Sequence, residues 1–301
     1  MTNADLDAAI AACVTRATGE RFTIEERRSQ GGGCINEAVL VSGGSRRFFV
    51  KTNAPDGGAM FEAEAEALRA LAATGSLRVP EPIGQGIAGG RAYLVLEAIE
   101  FGSPGPDGWA RMGSQLAAMH RSTVDTFGWH RDNTIGSTPQ RNTRSANWLV
   151  FFRDCRLAPQ FELAGRNGFR FENAGRLLDG LECFFSDHAP EPSLLHGDLW
   201  SGNAGFDSAG QAVVFDPASY YGDRETDLAF SECFGGFPQA FYEAYKAAWP
   251  LSPGYPLRRE LYNLYHILNH ANLFGGGYAG QARSMIERLL RASGRQDFFL
   301  E

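Results

Sequence analysis

Apolar positions along the first third of the chain switch between a helical and a strand period. Leu6, Ala9, Ile10, Cys13 and Val14 recur at helical spacing and predict an amphipathic helix over residues 5–18. Residues 22–26, 38–41 and 48–52 have the length and content of strands, the last running Phe48-Phe49-Val50 up to the single lysine Lys51. Over residues 61–72 the helical period returns, with Phe61, Glu64, Ala65, Leu68, Leu71 and Ala72 on one face and Glu62, Glu66 and Arg69 on another. Glu64 therefore lies inside an apolar stripe. A carboxylate there is costly unless a cation meets it, so Glu64, rather than Glu62, is the expected partner of Lys51.

Val79-Pro80-Glu81-Pro82-Ile83 breaks any helix and introduces a further strand, and residues 91–96 complete a sheet of about five strands. Glu97-Ala98-Ile99-Glu100-Phe101 then leads into the Gly/Pro-rich stretch Gly102 to Gly108, which has the composition of a hinge. Beyond it the pattern is mostly helical, over residues 109–121, 147–161, 175–185, 238–249 and 257–274. The polar stretch 133–145, with Pro139, predicts a long loop over a cleft, where Arg141 and Arg144 are either solvated or within reach of substrate or phosphate. The reading is an α+β protein with a sheet-rich N-lobe, residues 1–101, and a mostly helical C-lobe, residues 102–301.

Composition changes this picture little. At 301 residues, 44% hydrophobic and 21% charged, the chain is an ordinary globular one with enough length for a large core. Its formal net charge of -7 carries no bulk basic signal, so nucleic acid is not an expected partner and any anion must be met locally. No apolar run approaches the roughly 20 residues of a membrane span, and Met1-Thr2-Asn3-Ala4-Asp5 lacks the regions of a signal peptide, so the expectation is a cytoplasmic protein without membrane partners. Nothing in the pattern assigns an oligomeric state. The five cysteines include no C-x-x-C pair and suggest neither a disulfide framework nor structural zinc. Cys34 differs from the rest: in a glycine-rich loop it is a candidate oxidisable thiol, able to form an intermolecular disulfide.

Candidate chemistry centres on Leu194-Leu195-His196-Gly197-Asp198-Leu199-Trp200-Ser201-Gly202-Asn203 and on Val213-Val214-Phe215-Asp216-Pro217. An Asp and an Asn five positions apart, followed by a second Asp after a short strand, is the order in which a phosphoryl-transfer site supplies its base and its metal ligands. Asp198 is then the expected base and Asn203 and Asp216 the Mg2+ ligands. Lys51 stands where a third-strand lysine would bridge nucleotide phosphates to the helix glutamate, Glu64. Upstream, Gln30-Gly31-Gly32-Gly33-Cys34-Ile35-Asn36 does not fit the P-loop pattern, but Gly32 and Gly33 sit between two strands where bare backbone N-H groups can approach phosphates. The hinge backbone, at Glu97 and Ile99, is the expected adenine contact.

Several residues have competing readings. His196 beside a glycine is a packed loop anchor rather than a base. Trp200 is either core or a stacking wall for substrate. Asp227 either caps the helix it enters or braces the catalytic loop, with capping the simpler account. His266 and His270 stand one turn apart without the Glu of H-E-x-x-H, so zinc is not expected, whereas Asn269 and His270 are candidates for touching a polyhydroxylated substrate.

His196 to Asn203, Phe215-Asp216-Pro217-Ala218-Ser219-Tyr220-Tyr221-Gly222 and Glu232-Cys233-Phe234-Gly235-Gly236-Phe237 together resemble the fructosamine kinase (ketosamine-3-kinase) family, as do Gly32 to Glu37, Phe49-Val50-Lys51, Met60 to Glu64 and Thr138-Pro139-Gln140. The resemblance covers nearly the whole chain. It implies a bilobal protein-kinase-like fold, ATP and Mg2+ as cofactors, and phosphorylation of the 3-hydroxyl of small-molecule or protein-bound ketoamines such as fructosamines and ribulosamines, a deglycation repair. His-Gly-Asp alone would point only to a small-molecule kinase of the aminoglycoside or choline kinase sort; Trp200 with the Asp-Pro-Ala-Ser run is more specific. A non-catalytic nucleotide-binding scaffold would be expected to lack the base or a metal ligand, and all three are present. Asp216-Pro217 stands in place of a protein kinase's Asp-Phe-Gly and Gly197 in place of its loop arginine, so control by activation-loop phosphorylation is not expected.

Overall fold

The strand that carries Lys51 is the middle one of a five-stranded antiparallel sheet. In the computed structural model, which describes residues 3–31 and 35–296, β1 (Glu26–Ser29), β2 (Glu37–Gly43), β3 (Arg46–Asn53), β4 (Pro82–Ala88) and β5 (Arg91–Glu97) lie in the order β1-β2-β3-β5-β4. The α1 helix (Asn3–Thr18) covers one face: Leu6, Ile10, Cys13 and Val14 pack with Phe22, Val41, Phe48, Val50, Tyr93 and Val95. Because strand side chains alternate, Val50 on this face sends Lys51 to the opposite one, toward α2 (Gly58–Ala73), whose Phe61, Glu64, Ala65, Leu68 and Leu71 are buried.

The first strand is displaced from where hydropathy puts it. Residues 21–25 are irregular; Phe22 is nonetheless buried, edge-on to Phe48 at 5.1 Å, with its N-H donating to Thr15 Oγ1. The strand itself, Glu26-Arg27-Arg28-Ser29, is polar because it lies at the sheet edge with three of its four residues exposed. Pro82 opens the other edge strand, the place where a sheet tolerates a missing N-H.

The chain divides into two compact units: Met1–Gly108 with Ala204–Pro217, and Trp109–Asn203 with Ala218–Glu301. This differs from the single boundary after residue 101 that the sequence suggests, because a hairpin, Ala204–Phe206 paired with Ala212–Val214, belongs to the sheet-bearing unit. Short contacts hold it there. Gly102 N donates to Phe206 O at 2.8 Å, Ser208 N to Glu100 O at 2.8 Å, and Val214 N to Arg78 O at 3.0 Å. Arg78 adds a fork, one arm to Glu97 and the other to Asp207 Oδ2 at 3.0 Å.

The second unit is mostly helical. Its core joins Trp148, Phe151 and Phe152 to Leu261, Tyr262, Leu264, Tyr265 and Leu268 of the helix Tyr255–Phe274, and to Ala282, Met285, Ile286 and Leu289 of the helix Tyr278–Gln296. The helix expected over 147–161 is three segments: Trp148–Phe152, a π-turn at Arg153–Leu157, and Ala158–Arg166. Pro159 accounts for the π-turn, since it cannot donate to Cys155 O and its ring would crowd that carbonyl; Arg156 Nη1 donates to Cys155 O instead, at 2.9 Å. The stretch 133–145 is not an open loop: Asn133–Ile135 and Thr138–Gln140 pair as a hairpin in which Thr138, Gln140 and Asn142 are buried. No helix among the described residues is long and apolar enough to cross a membrane.

Candidate active site

Within the first unit, Lys51 Nζ lies 2.7 Å from Glu64 Oε1 and also donates to Asp216 Oδ1. Burial opposes the ammonium charge, but Glu64 and then Asp216 outweigh it and hold the Lys51 pKa above its ordinary value. Burial pushes the Glu64 carboxyl up; Lys51 pulls it down, the Asp216 charge adds to the rise, and the balance is upward. Asp216 adopts φ +57°, the left-handed region that a non-glycine residue rarely enters, and its side chain remains 46% exposed. A carboxylate that touches the lysine and still faces outward retains oxygens for a cation.

The two residues expected to contact adenine, Glu97 and Ile99, differ in what they offer. Glu97 N is already committed to Glu81 O at 2.8 Å, and its carboxylate meets Arg78 and accepts from Glu81 N. Ile99 makes no backbone hydrogen bond among the described residues, so its N-H and C=O stay available to a base edge. Phe101 is exposed and its ring lies 5.5 Å from that of Phe215, next to Asp216 in the chain. Gly32, Gly33 and Cys34 lie outside the described residues.

Within the second unit, the catalytic-loop candidate hangs from a short ladder. Ser193–Leu194 pairs with Tyr221–Gly222, Leu195 N donates to Tyr220 O at 3.0 Å, and Ala218 N donates to His196 O at 2.9 Å. Gly197 has φ +82°, and a Cβ there would stand 2.1 Å from Ala218 O, so no other residue fits without displacing backbone. Asp227 accepts from the backbone N-H of His196 at 2.7 Å and of Gly197 at 2.8 Å, and pairs with His120 Nε2 at 3.1 Å. Burial alone would raise its pKa; the His120 bond, the histidine charges and the Gly197 N-H outweigh burial and lower it. Asp227 is thus the brace and not the cap; in the turn before the helix Glu225–Ser231, Asp223 Oδ1 accepts from Glu225 N at 3.0 Å.

Asn203 Nδ2 donates to Asp198 O and to Asp198 Oδ2, both at 2.9 Å. Its nitrogen thereby steadies the carboxylate of the candidate base, and its Oδ1 is left as an oxygen donor that could face a cation. His196 is buried, as expected of a loop anchor. Trp200 is half-buried over Gly202, where a Cβ would meet the indole at 2.3 Å, and its ring lies 6.0 Å from Phe234. Phe234 in turn lies 4.9 Å from His270, which neighbours Phe274 and Tyr278. His270 Nδ1 is 2.8 Å from His266 O and so carries the hydrogen, leaving Nε2 as an acceptor; burial lowers the ring's pKa, which keeps it neutral. Asn269 is enclosed: it accepts from Gln160 Nε2 at 3.2 Å and donates to Ile135 O at 3.5 Å.

A second titratable cluster, His188, Asp223 and Glu225, has metal-like spacing. Its atoms are committed elsewhere. Asp223 Oδ2 takes His188 Nε2 at 2.8 Å and Tyr262 OH at 2.5 Å, while Arg258 donates to Glu225 at 2.7 and 3.2 Å and to Asp187 at 2.6 Å. This is a buried ion-pair network, and hydropathy gives no sign of it, because Arg258 lies within a stretch read only as one of the closing helices. The Arg78 fork and the hydrogen-bonded amides of Asn133, Gln140 and Asn142 escaped the sequence reading for a similar reason: polar residues between periodic segments read as solvated.

The fructosamine kinase family model matches residues 6–292. A Synechocystis sp. protein named a probable ketoamine kinase is 49% identical over 283 residues, 94% of this chain and 96% of its own length. A chloroplastic protein-ribulosamine 3-kinase of Arabidopsis thaliana is 44% identical over 280 residues, 91% of this chain and 85% of its own. Among solved structures, a candidate fructosamine-3-kinase from Haemophilus somnus 129PT superposes with a TM-score of 0.88 at 31% identity, covering 93% of this chain and 96% of that one. An aminoglycoside phosphotransferase in ternary complex with ADP and hygromycin B has a TM-score of 0.62 at 17% identity, over 95% and 99% of the two chains, a likeness of fold alone.

Proposed function

The chain belongs to the fructosamine kinase family, and on that premise we propose that it transfers the γ-phosphoryl group of ATP to the 3-hydroxyl of ketosamines, fructosamines or ribulosamines. The observation that carries this reading is the loop in which Asn203 holds the Asp198 carboxylate and Asp227 holds the His196 and Gly197 amides, in a chain 44% identical to a protein-ribulosamine 3-kinase.

Asp198 takes the proton of the attacking hydroxyl as the oxygen closes on the γ-phosphorus and ADP departs. Lys51, kept protonated between Glu64 and Asp216, contacts the nucleotide phosphates. Asn203 Oδ1 and the Asp216 carboxylate are each oxygen donors of the kind that Mg2+ takes, and they are the proposed ligands. When bound, Mg2+ offsets the charge on the transferring phosphate. The free backbone of Ile99 is the adenine contact, while Glu97 acts through its Arg78 pair. Trp200 and Phe234 provide a π-face for the protonated amine of a ketoamine, and His270 Nε2 accepts from its N-H or from a sugar hydroxyl. Phosphate on C3, beside the C2 carbonyl, is a leaving group, so the product can shed it and free the glycated amine.

Turnover of ATP on ribulose-lysine, fructose-lysine, an aminoglycoside and choline separates the alternatives. The proposal predicts kcat/KM on one ketoamine at least about 100-fold above either other alcohol. Equal or better turnover of the aminoglycoside or choline would move the chain to a different acceptor class.

A further inference from the structure

Beneath the candidate catalytic loop lies a chain of hydrogen-bonded amides, Gln140 and Asn142 buried and Asn133 half-buried, with no part in the proposed chemistry. Gln140, 2% exposed, donates through Nε2 to Ala218 O at 3.1 Å and to Asn133 Oδ1 at 2.8 Å, and its Oε1 accepts from Tyr265 OH at 2.7 Å. Asn133 Nδ2 donates to Ser219 O at 3.0 Å. Asn142 Nδ2 donates to Asn133 Oδ1 at 2.8 Å, and Asn142 Oδ1 accepts from Arg156 Nη2 at 2.8 Å. Arg156 is fully buried. It has no carboxylate partner among the described residues; its charge is met by Arg141 O, Cys155 O, Asn142 and the face of Tyr220 at 3.8 Å.

We propose that Gln140 is a positioning residue for phosphoryl transfer, and that the Asn133-Gln140-Asn142 amides, anchored on Arg156, fix the backbone at Ala218 and Ser219 against which the catalytic loop is registered. The link to the loop is direct. Ala218 N donates to His196 O, and Ala218 O occupies the space that a side chain at Gly197 would need. A shift of Ala218 therefore moves the two residues that precede Asp198. Buried carbonyls need donors, and here two successive ones, Ala218 and Ser219, each receive an amide from one hairpin.

The inference rests on the phosphotransfer reading for its kinetic consequence but not for its structural one, and the experiment keeps them apart. Gln140→Leu removes the donors; Gln140→Glu preserves volume but replaces the donating amide; Tyr265→Phe removes the bond to Oε1 and leaves the Gln140 donors in place. Leu289→Ala, a core truncation in the helix Tyr278–Gln296, is the control for general loss of stability. Hydrogen exchange of residues 195–197 and 218–220 and ketoamine kinase kinetics are measured on each.

Both Gln140 variants are expected to speed exchange in those two segments and to lower kcat about 10- to 100-fold with the KM for ATP within about twofold. Tyr265→Phe gives the same pattern at smaller amplitude, which serves if a Gln140 variant fails to fold. Leu289→Ala lowers Tm without the selective exchange or the kcat loss. Unchanged exchange at 195–197 in the Gln140 and Tyr265 variants, or a kcat loss matched by Leu289→Ala, would overturn the positioning role. If the unsubstituted protein phosphorylates no ketoamine, the functional reading fails and the exchange result still decides the brace.

Discussion

At Lys51, burial and charge work against each other, and the outcome depends on which carboxylates remain. Glu64 is buried and, among the described residues, pairs with Lys51 alone, whereas Asp216 pairs with Lys51 while half-exposed. Removing the Glu64 charge leaves Asp216 to carry the whole pairing, which draws it from its proposed cation. Glu64→Gln is therefore expected to lower kcat/KM for ATP by about 30-fold, while Glu62→Gln, on the exposed face of the same helix, changes it by less than about twofold. Steady-state kinetics with ATP varied checks this; equal effects at the two positions would remove Glu64 from the site. This pair was legible early, because a carboxylate in an apolar stripe demands a cation and the only lysine nearby ends an apolar strand. The role of Asp227 was not: a helix-entry Asp reads as a cap, and its bonds to His196 and Gly197 come from a segment 30 residues away in sequence, which no local pattern encodes.

Elements were readable where one face is buried and unreadable where both are polar. Periodicity located α1, α2 and the strand of Lys51 because each presents one apolar stripe. It missed β1, an exposed edge, and the closing helix Tyr278–Gln296, whose buried Ala282, Met285, Ile286 and Leu289 are diluted by glycines and charges. The helix Glu225–Ser231 is buried from end to end, yet begins in an ion-pair network that hydropathy cannot register. There, burial lowers the His188 pKa but the bond to Asp223, with the charges of Asp223 and Glu225, raises it on balance. A histidine whose folded pKa exceeds its unfolded value adds stability in full below the unfolded value of 6.5 and loses it as pH rises through the raised folded value. The Tm should therefore fall as pH rises above about 6.5, and His188→Gln should flatten that slope. A wild-type Tm that rises over the same range would show that His188 is not stabilised as the imidazolium.

At the scale of the whole molecule, the fold and the family follow from features spread over most of the chain, since the family model spans residues 6–292 and a TM-score of 0.88 extends over 93% of its length. The acidic balance of -7 means that anionic phosphates are met by placed groups and not by a general field. What distinguishes a ketoamine kinase from other small-molecule kinases is the acceptor atom, whereas the base that activates it belongs to the His-Gly-Asp motif they share. The most direct measurement is NMR of the product formed from ATP and ribulose-lysine, with phosphorus–carbon coupling used to locate the new ester, for the unsubstituted protein and for Asp198→Asn. The account predicts phosphate on carbon 3 and a loss of turnover of at least about 100-fold in the folded variant. Phosphate on another carbon, or turnover that survives the substitution, would contradict it.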